Sequence, residues 1–380
     1  MAEFLGYIDF PRKDFNTIWG STFLCIGWAL SSEPITSLEL LIDGKLVGQL
    51  IRDFPRPDVI NDHQSFADQP NCGFYGQASA AGFEQGNHQI AVVAKTSKCA
   101  FTMGPKEFVY RPDLFAKKRK KIFNILVCPF CKKDLEQKEL QLRCTFCGRI
   151  FPLIYQTPFF VSKPELATNP KTTPTSPYGE SARKIVEMCK DGLVLDCGAG
   201  YPLEQYENVF QIDIEKYPST DVVTNALRLP FRDETFDGVI SQSVVEHVQN
   251  PFRYVREIER VLKKGGHVVV DSAFLQPMHA YPHHYFNTSI RGLRYLFRSF
   301  DHIASRVAEY QLPWYTLRWV LNSYLEGITD PNQRTHFLKI SVEEAMRVLN
   351  KETNKYPFHP LQDKSVQELA CGVHFIGRKK

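Results

Sequence analysis

No run of about 18 consecutive apolar residues occurs in the chain, so no membrane-spanning helix is expected. The opening Met-Ala-Glu-Phe-Leu-Gly-Tyr-Ile-Asp-Phe lacks the basic-then-apolar pattern of a secretory leader, which leads us to expect a cytoplasmic protein. An excess of one charge is also missing. The 46 Lys and Arg face 42 Asp and Glu, a formal net charge of +4. That balance does not call for a nucleic-acid partner, and none is expected. What is present is enough apolar material for real cores: 43% of 380 residues, a length that suits two or three domains. The charge is unevenly placed. Residues 1–112 hold nine Lys/Arg against twelve Asp/Glu, whereas residues 113–162 hold ten against four, including the run Lys117 to Lys121. That run reads either as a solvated linker or as a phosphate-contacting patch.

Residues 1–112 alternate apolar and polar in short stretches. Thr22–Leu30, Ser37–Ile42, Lys45–Ile51 and His88–Lys95 read as strands, and Asp43-Gly44 reads as a hairpin turn. About seven such strands predict an antiparallel sandwich of immunoglobulin type. Gly6-Tyr-Ile-Asp9-x-Pro11, Gly27-Trp28-Ala29, Asp43-Gly44, Arg56-Pro-Asp-Val59 and Gly86-x-His88 together resemble the immunoglobulin-like modules attached to some bacterial glycosyltransferases and methyltransferases. The resemblance implies a binding or assembly role, including a protein partner, or a purely structural one. Cys25 and Cys99 are expected as buried free thiols rather than a disulfide, since the compartment is read as reducing.

Four of the ten cysteines form two Cys-x-x-Cys pairs, Cys128/Cys131 and Cys144/Cys147, twelve residues apart. Two such knuckles can place four thiolates around one tetrahedral zinc ion. Four cysteines leave no open coordination position, so the zinc is expected to be structural. A ribbon of residues 124–162 is too short to bury a core, so the metal is expected to supply its folding energy. Its ending, Arg149-Ile-Phe-Pro-Leu-Ile-Tyr-Gln-Thr-Pro-Phe-Phe, resembles that of small zinc-ribbon proteins that accompany or activate methyltransferases. Residues 164–178, rich in Pro, Thr, Ser and Asn, read as a linker.

Residues 179–380 open with a helical stretch and then Leu193-Val-Leu-Asp-Cys-Gly-Ala-Gly200, a buried strand running into a Gly-x-Gly turn. Strand-like runs follow at 209–214, 221–224, 236–240 and 267–271, with a helix from about Phe252 to Leu262, which predicts an α/β parallel sheet. The pieces Asp196-x-Gly198-x-Gly200, Asp213, Asn225-Ala-x-x-Leu-Pro-Phe231, Phe236-Asp237, Glu246-His247-Val248 and Arg260-Val-Leu-x-x-Gly-Gly266 stand in one order. In that order they resemble the class I S-adenosylmethionine-dependent methyltransferases, nearest the quinone-biosynthesis and small-molecule group. The resemblance implies a Rossmann-like methyltransferase domain and S-adenosylmethionine as cofactor. It implies that Asp196 holds the turn and the methionine ammonium, that Gly198 and Gly200 admit the cofactor, and that Asp213 accepts the ribose hydroxyls. Asn225 and Ala226 would meet the adenine, and Ser241 and Gln242 would lie near the sulfonium.

Two features depart from that pattern. Tyr201-Pro202 stands where a third glycine is usual, and the path from Gly200 to Asp213 is short for a helical crossover. The first helix is therefore expected to shrink to a turn or loop, its place left open or taken by another segment. Phe274–Phe297 reads as a substrate lid at the edge where α/β sheets bind ligands. An oxygen or nitrogen acceptor must lose a proton, and His284, His279 and His247, in that order, are the candidate catalytic bases. Residues 298–360 read as mostly helical, with a broad apolar face on 313–325 suited to capping a site or to a dimer contact. Residues 368–377 read as a last strand.

The expected function is methyl transfer to a small-molecule or carbohydrate-containing acceptor. The alternatives are an RNA base methyltransferase, and a non-catalytic scaffold with a degenerate methyltransferase domain. The Asp/Asn-Pro-Pro-Tyr motif of exocyclic-amine methylation is missing after the fourth strand, which argues against the RNA reading.

Overall fold

Alternation organises the N-terminal region. In Ser37–Ile42 every second residue, Leu38, Leu40 and Ile42, is buried, the period of a strand with one face on a core. The computed structural model describes residues 3–11, 16–20, 22–154, 156–161, 177–202, 204–280, 283–344 and 365. Among the described residues of the first 110 positions there are eight strands: β1 Phe4–Phe10, β2 Thr17–Ile18, β3 Thr22–Ser31, β4 Ser37–Ile42, β5 Lys45–Phe54, β6 Gly73–Ser79, β7 Gly86–Lys95 and β8 Ala100–Tyr110. Helix α1, Pro57–Asp62, lies between β5 and β6. The two-residue β2 is too short to show alternation, so the sequence hides it. The strands bond in the order β1-β3-β6-β5-β4-β7-β8-β2. Strand β5 changes partner along its length, pairing with β4 up to Leu50 and with β6 from Ile51. One core draws on both ends of the order, with Ile8, Phe23 and Phe74 from one and Leu40, Val92 and Phe108 from the other. Asp43 and Gly44 take φ of 48° and 77°, the left-handed pair that a tight hairpin requires. Cys25 is buried and free, and burial pushes its thiol pKa up. Cys99 is also free but exposed, which corrects the expectation that it is buried.

The basic run is not an open linker, and Lys117, Lys120 and Lys121 within it are exposed. It lies in helix α2, Pro112–Ile125, whose buried residues Leu114, Lys118 and Ile122 recur every fourth position. Lys118 Nζ lies 2.7 Å from Asp221 Oδ2, with both side chains nearly inaccessible. The rings of Trp19 and Phe210 flank the ammonium at 5.7 Å. A four-stranded sheet follows, from β9 Leu135–Lys138, β10 Gln141–Cys144, β11 Ile150–Ile154 and β12 Thr157–Pro158, in the order β12-β11-β10-β9.

Helix α3, Glu180–Met188, leads into β13 Val194–Cys197, β14 Val209–Asp213, β15 Val222–Val223 and β16 Phe236–Gln242. Helix α4, Pro251–Val261, and β17, Leu262–Asp271, complete the sheet in the order β15-β14-β13-β16-β17. The registers of β13 with β14 and β16, and of β14 with β15, are parallel. Strand β13 is buried at every position, as a parallel strand covered on both faces must be. Strand β17 starts five residues before the expected 267.

Residues 1–242 with 256–270 form one compact unit, and 243–255 with 271–380 form another. The second holds α5 Ile290–Leu296, α6 Pro313–Gly327 and α7 Pro331–Phe337. Residues 301–308 are irregular rather than helical; they carry no 3.6-residue apolar period, and α6 starts only at Pro313, a residue suited to the first turn. Helix α6 exposes Trp314, Leu317 and Leu321. The expected last strand, 368–377, lies outside the described residues. Among the described residues, no helix is long and apolar enough to cross a membrane.

Candidate cofactor site, metal centre and histidine cluster

Strand β13 lies where the order of the parallel sheet reverses, and ligands of such sheets bind at the carboxyl ends of the strands there. The register brings the sequence-selected residues to that edge. Asp196 lies beside Gln211 and Ile240, so Gln242 falls level with Gly198. Asp213 pairs with Val223, and Asn225 follows two residues later. Gly198 and Gly200 take φ of 76° and 58°, a conformation in which a side chain is strained. The backbone N–H groups of Gly198 and Ala199 donate to Ile212 O at 2.9 and 3.0 Å. The turn is thus folded back against β14.

Asp213 closes the turn. Its Oδ2 accepts from Gly200 N at 2.8 Å and its Oδ1 from Glu215 N at 3.1 Å. A carboxylate has about four lone-pair positions, so each oxygen retains one for a ligand hydroxyl. Burial raises the pKa of Asp213, against those amide bonds. Asp196 is buried beneath the turn and accepts from Tyr178 Oη at 2.6 Å. Burial pushes its pKa up to about 7, and the Tyr178 bond acts to lower it. Ser241 is fully buried and Gln242 half-buried at the end of β16. Asn225 is exposed, and its Oδ1 already accepts from Leu227 N at 2.9 Å, with Ala226 between them. That oxygen has one lone pair left, while its amide nitrogen is a donor.

Among the described residues no helix stands between Gly200 and β14, and strand β3 covers the turn instead. Tyr201 Oη accepts from Leu24 N at 2.9 Å in a buried contact, and Tyr201, Tyr217 and Leu24 form a small core with Ile26. The tyrosine at the missing glycine position is therefore a packing residue between two sheets. Glu204, also buried, binds Arg183 and Tyr206. The sequence reading missed Tyr178, Tyr201 and Lys118. Tyr178 and Tyr201 lie in stretches without period and Lys118 sits among four like charges, and each has its partner elsewhere in the chain.

The four cysteines converge. Cys128 Sγ lies 3.7 Å from Cys147 Sγ, and Cys131 Sγ 3.4 Å from Cys144 Sγ, with all four sulfurs within 4.8 Å of one another. Zn–S bonds of about 2.3 Å in a tetrahedron separate sulfurs by about 3.8 Å, so the set fits zinc. Both knuckles end on a left-handed residue, Lys132 at φ 59° and Gly148 at φ 71°, each donating its N–H to the first cysteine of its pair. The Arg149 backbone N–H and guanidinium hold the Cys147 thiol down, to about 6, which favours the thiolate form that binds metal. The ribbon is tied to the parallel sheet at two places. Val127 N donates to Pro230 O at 2.9 Å, and Phe160 N to Val223 O at 2.8 Å. Lys132 Nζ adds bonds to Leu229 O and Glu257 Oε2, both at 3.0 Å.

His247, His279 and His284 come together in the second unit. Their ring centroids are 5.1, 5.7 and 4.4 Å apart, nearly perpendicular in each pair. Burial lowers the pKa of His279, so its ring is neutral at pH 7. Tyr281 and Pro282 of the expected lid lie outside the described residues.

Residues 193–270 match the family described as methyltransferase domain, and residues 119–154 the family described as Trm112p-like protein. The chain is 40% identical over 98 residues to an uncharacterized protein of Methanocaldococcus jannaschii, covering 23% of this chain and 43% of that one. It is 29% identical over 120 residues to a tRNA U34 carboxymethyltransferase of Campylobacter fetus subsp. fetus, covering 27% and 42%. It is 46% identical over 50 residues to a phosphatidylethanolamine N-methyltransferase of Cereibacter sphaeroides, covering 13% and 25%. The chain thus spans less than half the length of these curated relatives. It carries a methyltransferase domain of the S-adenosylmethionine-dependent type and a zinc-ribbon segment of Trm112 type.

Proposed function

We propose that the chain transfers a methyl group from S-adenosylmethionine to a small-molecule or carbohydrate-containing acceptor. The observation that carries this reading is the strand edge itself, where Asp213 ties down a left-handed glycine turn and keeps an acceptor site on each oxygen. Asp213 then holds the ribose diol, Asp196 the ammonium, Gly198 and Gly200 the methionine backbone, and Asn225 and Ala226 the adenine edge. Gln242, level with Gly198, faces the sulfonium end, with Ser241 packed beneath it. Bound S-adenosylmethionine supplies an electrophilic methyl group on a sulfonium, and the protein's part is chiefly to position an acceptor in line with it. Proton removal from a hydroxyl or amine acceptor falls to the histidine cluster, with His284 first, then His279 and His247. Cys128, Cys131, Cys144 and Cys147 hold a structural zinc. We read the N-terminal strands as an immunoglobulin-like module, supported by the single core shared between both ends of the strand order. The location we propose is cytoplasmic.

The experiment is calorimetry with S-adenosylmethionine on zinc-loaded protein. Micromolar binding is expected; no binding by folded protein would leave the scaffold reading in its place. A second reading takes RNA as acceptor, favoured by the likeness to tRNA U34 carboxymethyltransferases. RNA binding that weakens steeply with salt, by about 10³-fold or more between 50 and 200 mM, would favour it.

A further inference from the structure

Three imidazoles that meet in a fold must settle where their protons go. His247 Nδ1 lies 2.7 Å from His283 O, and a carbonyl only accepts, so Nδ1 carries the proton and Nε2 the lone pair. His279 Nδ1 lies 2.9 Å from Pro277 O, with the same consequence for its Nε2. Asn287 Nδ2 donates to Gln276 O at 3.1 Å, which turns Asn287 Oδ1 toward His284 Nε2 at 2.9 Å. His284 Nε2 is therefore a donor and Nδ1 holds the lone pair, which accepts a long 3.3 Å bond from the His279 backbone N–H that a metal would displace. Each ring thus donates its outer N–H to a fixed oxygen and presents a lone pair on the other nitrogen. One ligand nitrogen from each ring lies within 4.8 Å of the other two.

Imidazole nitrogens gathered within this distance are brought together at lower cost when a cation sits among them. Histidines whose second nitrogen is anchored on a carbonyl or amide oxygen are the usual form of metal-bound histidine. The charge nearby agrees. Glu246, adjacent to His247 in sequence, is fully buried and acts electrostatically on His284. Its Oε1 is held by Ala273 N and its Oε2 by Ser272 Oγ. A buried carboxyl group fixed in place next to this histidine cluster suits a bound cation.

We propose that His247, His279 and His284 form a binding site for a divalent transition-metal ion, distinct from the four-cysteine centre. Three imidazoles suit zinc and its neighbours rather than magnesium or calcium, which prefer oxygen. Nitrogens about 2.0–2.1 Å from zinc lie about 3.3 Å apart in a tetrahedral site, a separation within reach of a cluster whose ligand atoms all lie within 4.8 Å of one another. Three protein ligands leave a position open, in contrast to the four-cysteine centre, and an oxygen ligand such as water or a hydroxyl is the class that takes it. Trp319, whose ring lies 5.0 Å from that of His279, forms a wall beside it. A lone pair given to a metal no longer accepts a proton, so at these three residues the metal-ligand role replaces the base role proposed above, and its test reads metal rather than turnover.

The test is zinc content. The full chain is dialysed to equilibrium against zinc buffered at micromolar free concentration and measured by mass spectrometry. Wild type is expected to hold two zinc ions per chain, and His279→Gln and His284→Gln one each. Cobalt added to one-zinc, cysteine-loaded wild type is expected to give visible d–d absorption without the sulfur charge-transfer bands of a thiolate site. Asn287→Ala keeps all three ligands and, with its thermal melt unchanged, is expected to weaken the second zinc by about 10- to 100-fold. One zinc in wild type would overturn the proposal, as would two retained in both histidine variants. Unchanged affinity in Asn287→Ala would overturn the donor assignment.

Discussion

Tyr178→Phe removes one hydroxyl and tests how Asp196 is charged. The Tyr178 Oη donates to Asp196 Oδ2 at 2.6 Å, a bond made to the ionised carboxylate. Burial has already brought Asp196 to about 7, so near neutral pH the bond decides which form dominates. A hydrogen bond to a charged group contributes about 1.5–3 kcal/mol. At about 1.36 kcal/mol for each tenfold change, its loss moves the midpoint of Asp196 ionisation up by about one to two pH units. Only the carboxylate attracts the ammonium of S-adenosylmethionine. The wild-type to Tyr178→Phe affinity ratio is therefore about 10–100 at pH 6 and falls toward one above pH 9. The ratio is the quantity to measure, because the ligand's own amino group loses its charge near pH 8 and cancels between the two proteins. Calorimetric titrations at half-unit steps supply it. A ratio that stays constant across the range would mean that Tyr178 acts by packing, and would refute the assignment of Asp196 to the ammonium.

The same carboxyl also sets stability. Its folded pKa is raised, so its contribution is fully present below about pH 4 and is lost as pH climbs through about 7. Asp196→Asn should therefore melt higher than wild type at pH 8 without cofactor, by about 1–4 kcal/mol, and match it near pH 4. Asp213→Asn should weaken S-adenosylmethionine binding by at least about tenfold with the fold intact by circular dichroism, since an amide offers one acceptor oxygen where two are used. Lys118→Met strands Asp221 and should cost about 3–5 kcal/mol in urea unfolding; Lys118→Met with Asp221→Asn should recover most of it. Zinc chelation should raise hydrogen exchange at Val127 and Phe160, whose amides bond to the parallel sheet. Unchanged exchange there would mean that the metal does not organise the ribbon.

The sheet and the ribbon are legible because their signals are local. Val194–Cys197 is apolar enough to announce a buried strand, and Cys-x-x-Cys spacing is its own geometry. The glycine turn and the shortened crossover could be counted from Gly200 to Asp213. What the sequence hides is partnership at a distance. Lys118 sits in a run of five basic residues and looks like its neighbours until Asp221 is placed beside it. Tyr201 reads as a departure from a motif, yet its hydroxyl serves a backbone amide of another sheet. The three histidines have no regular spacing, because one follows β16 and the others lie in the long segment after β17. Residues 301–308 lie inside a span expected to be mostly helical, but they carry no 3.6-residue apolar period and form no helix.

The Tyr201–Leu24 contact joins residues 177 positions apart, and that separation bears on how the chain is made. On a ribosome the first sheet emerges complete long before its covering tyrosines do. Its Leu24–Ile26 flank, and the ammonium of Lys118, must wait in water until the stretch from Tyr201 to Asp221 has been synthesised. Assembly is thus ordered from the C-terminal side of the joint, with loop closure over nearly half the chain as the slow step. Expressing residues 1–112 alone, or starting at 177, would release one half of that joint into solvent. Fragments cut there should aggregate where the intact chain does not.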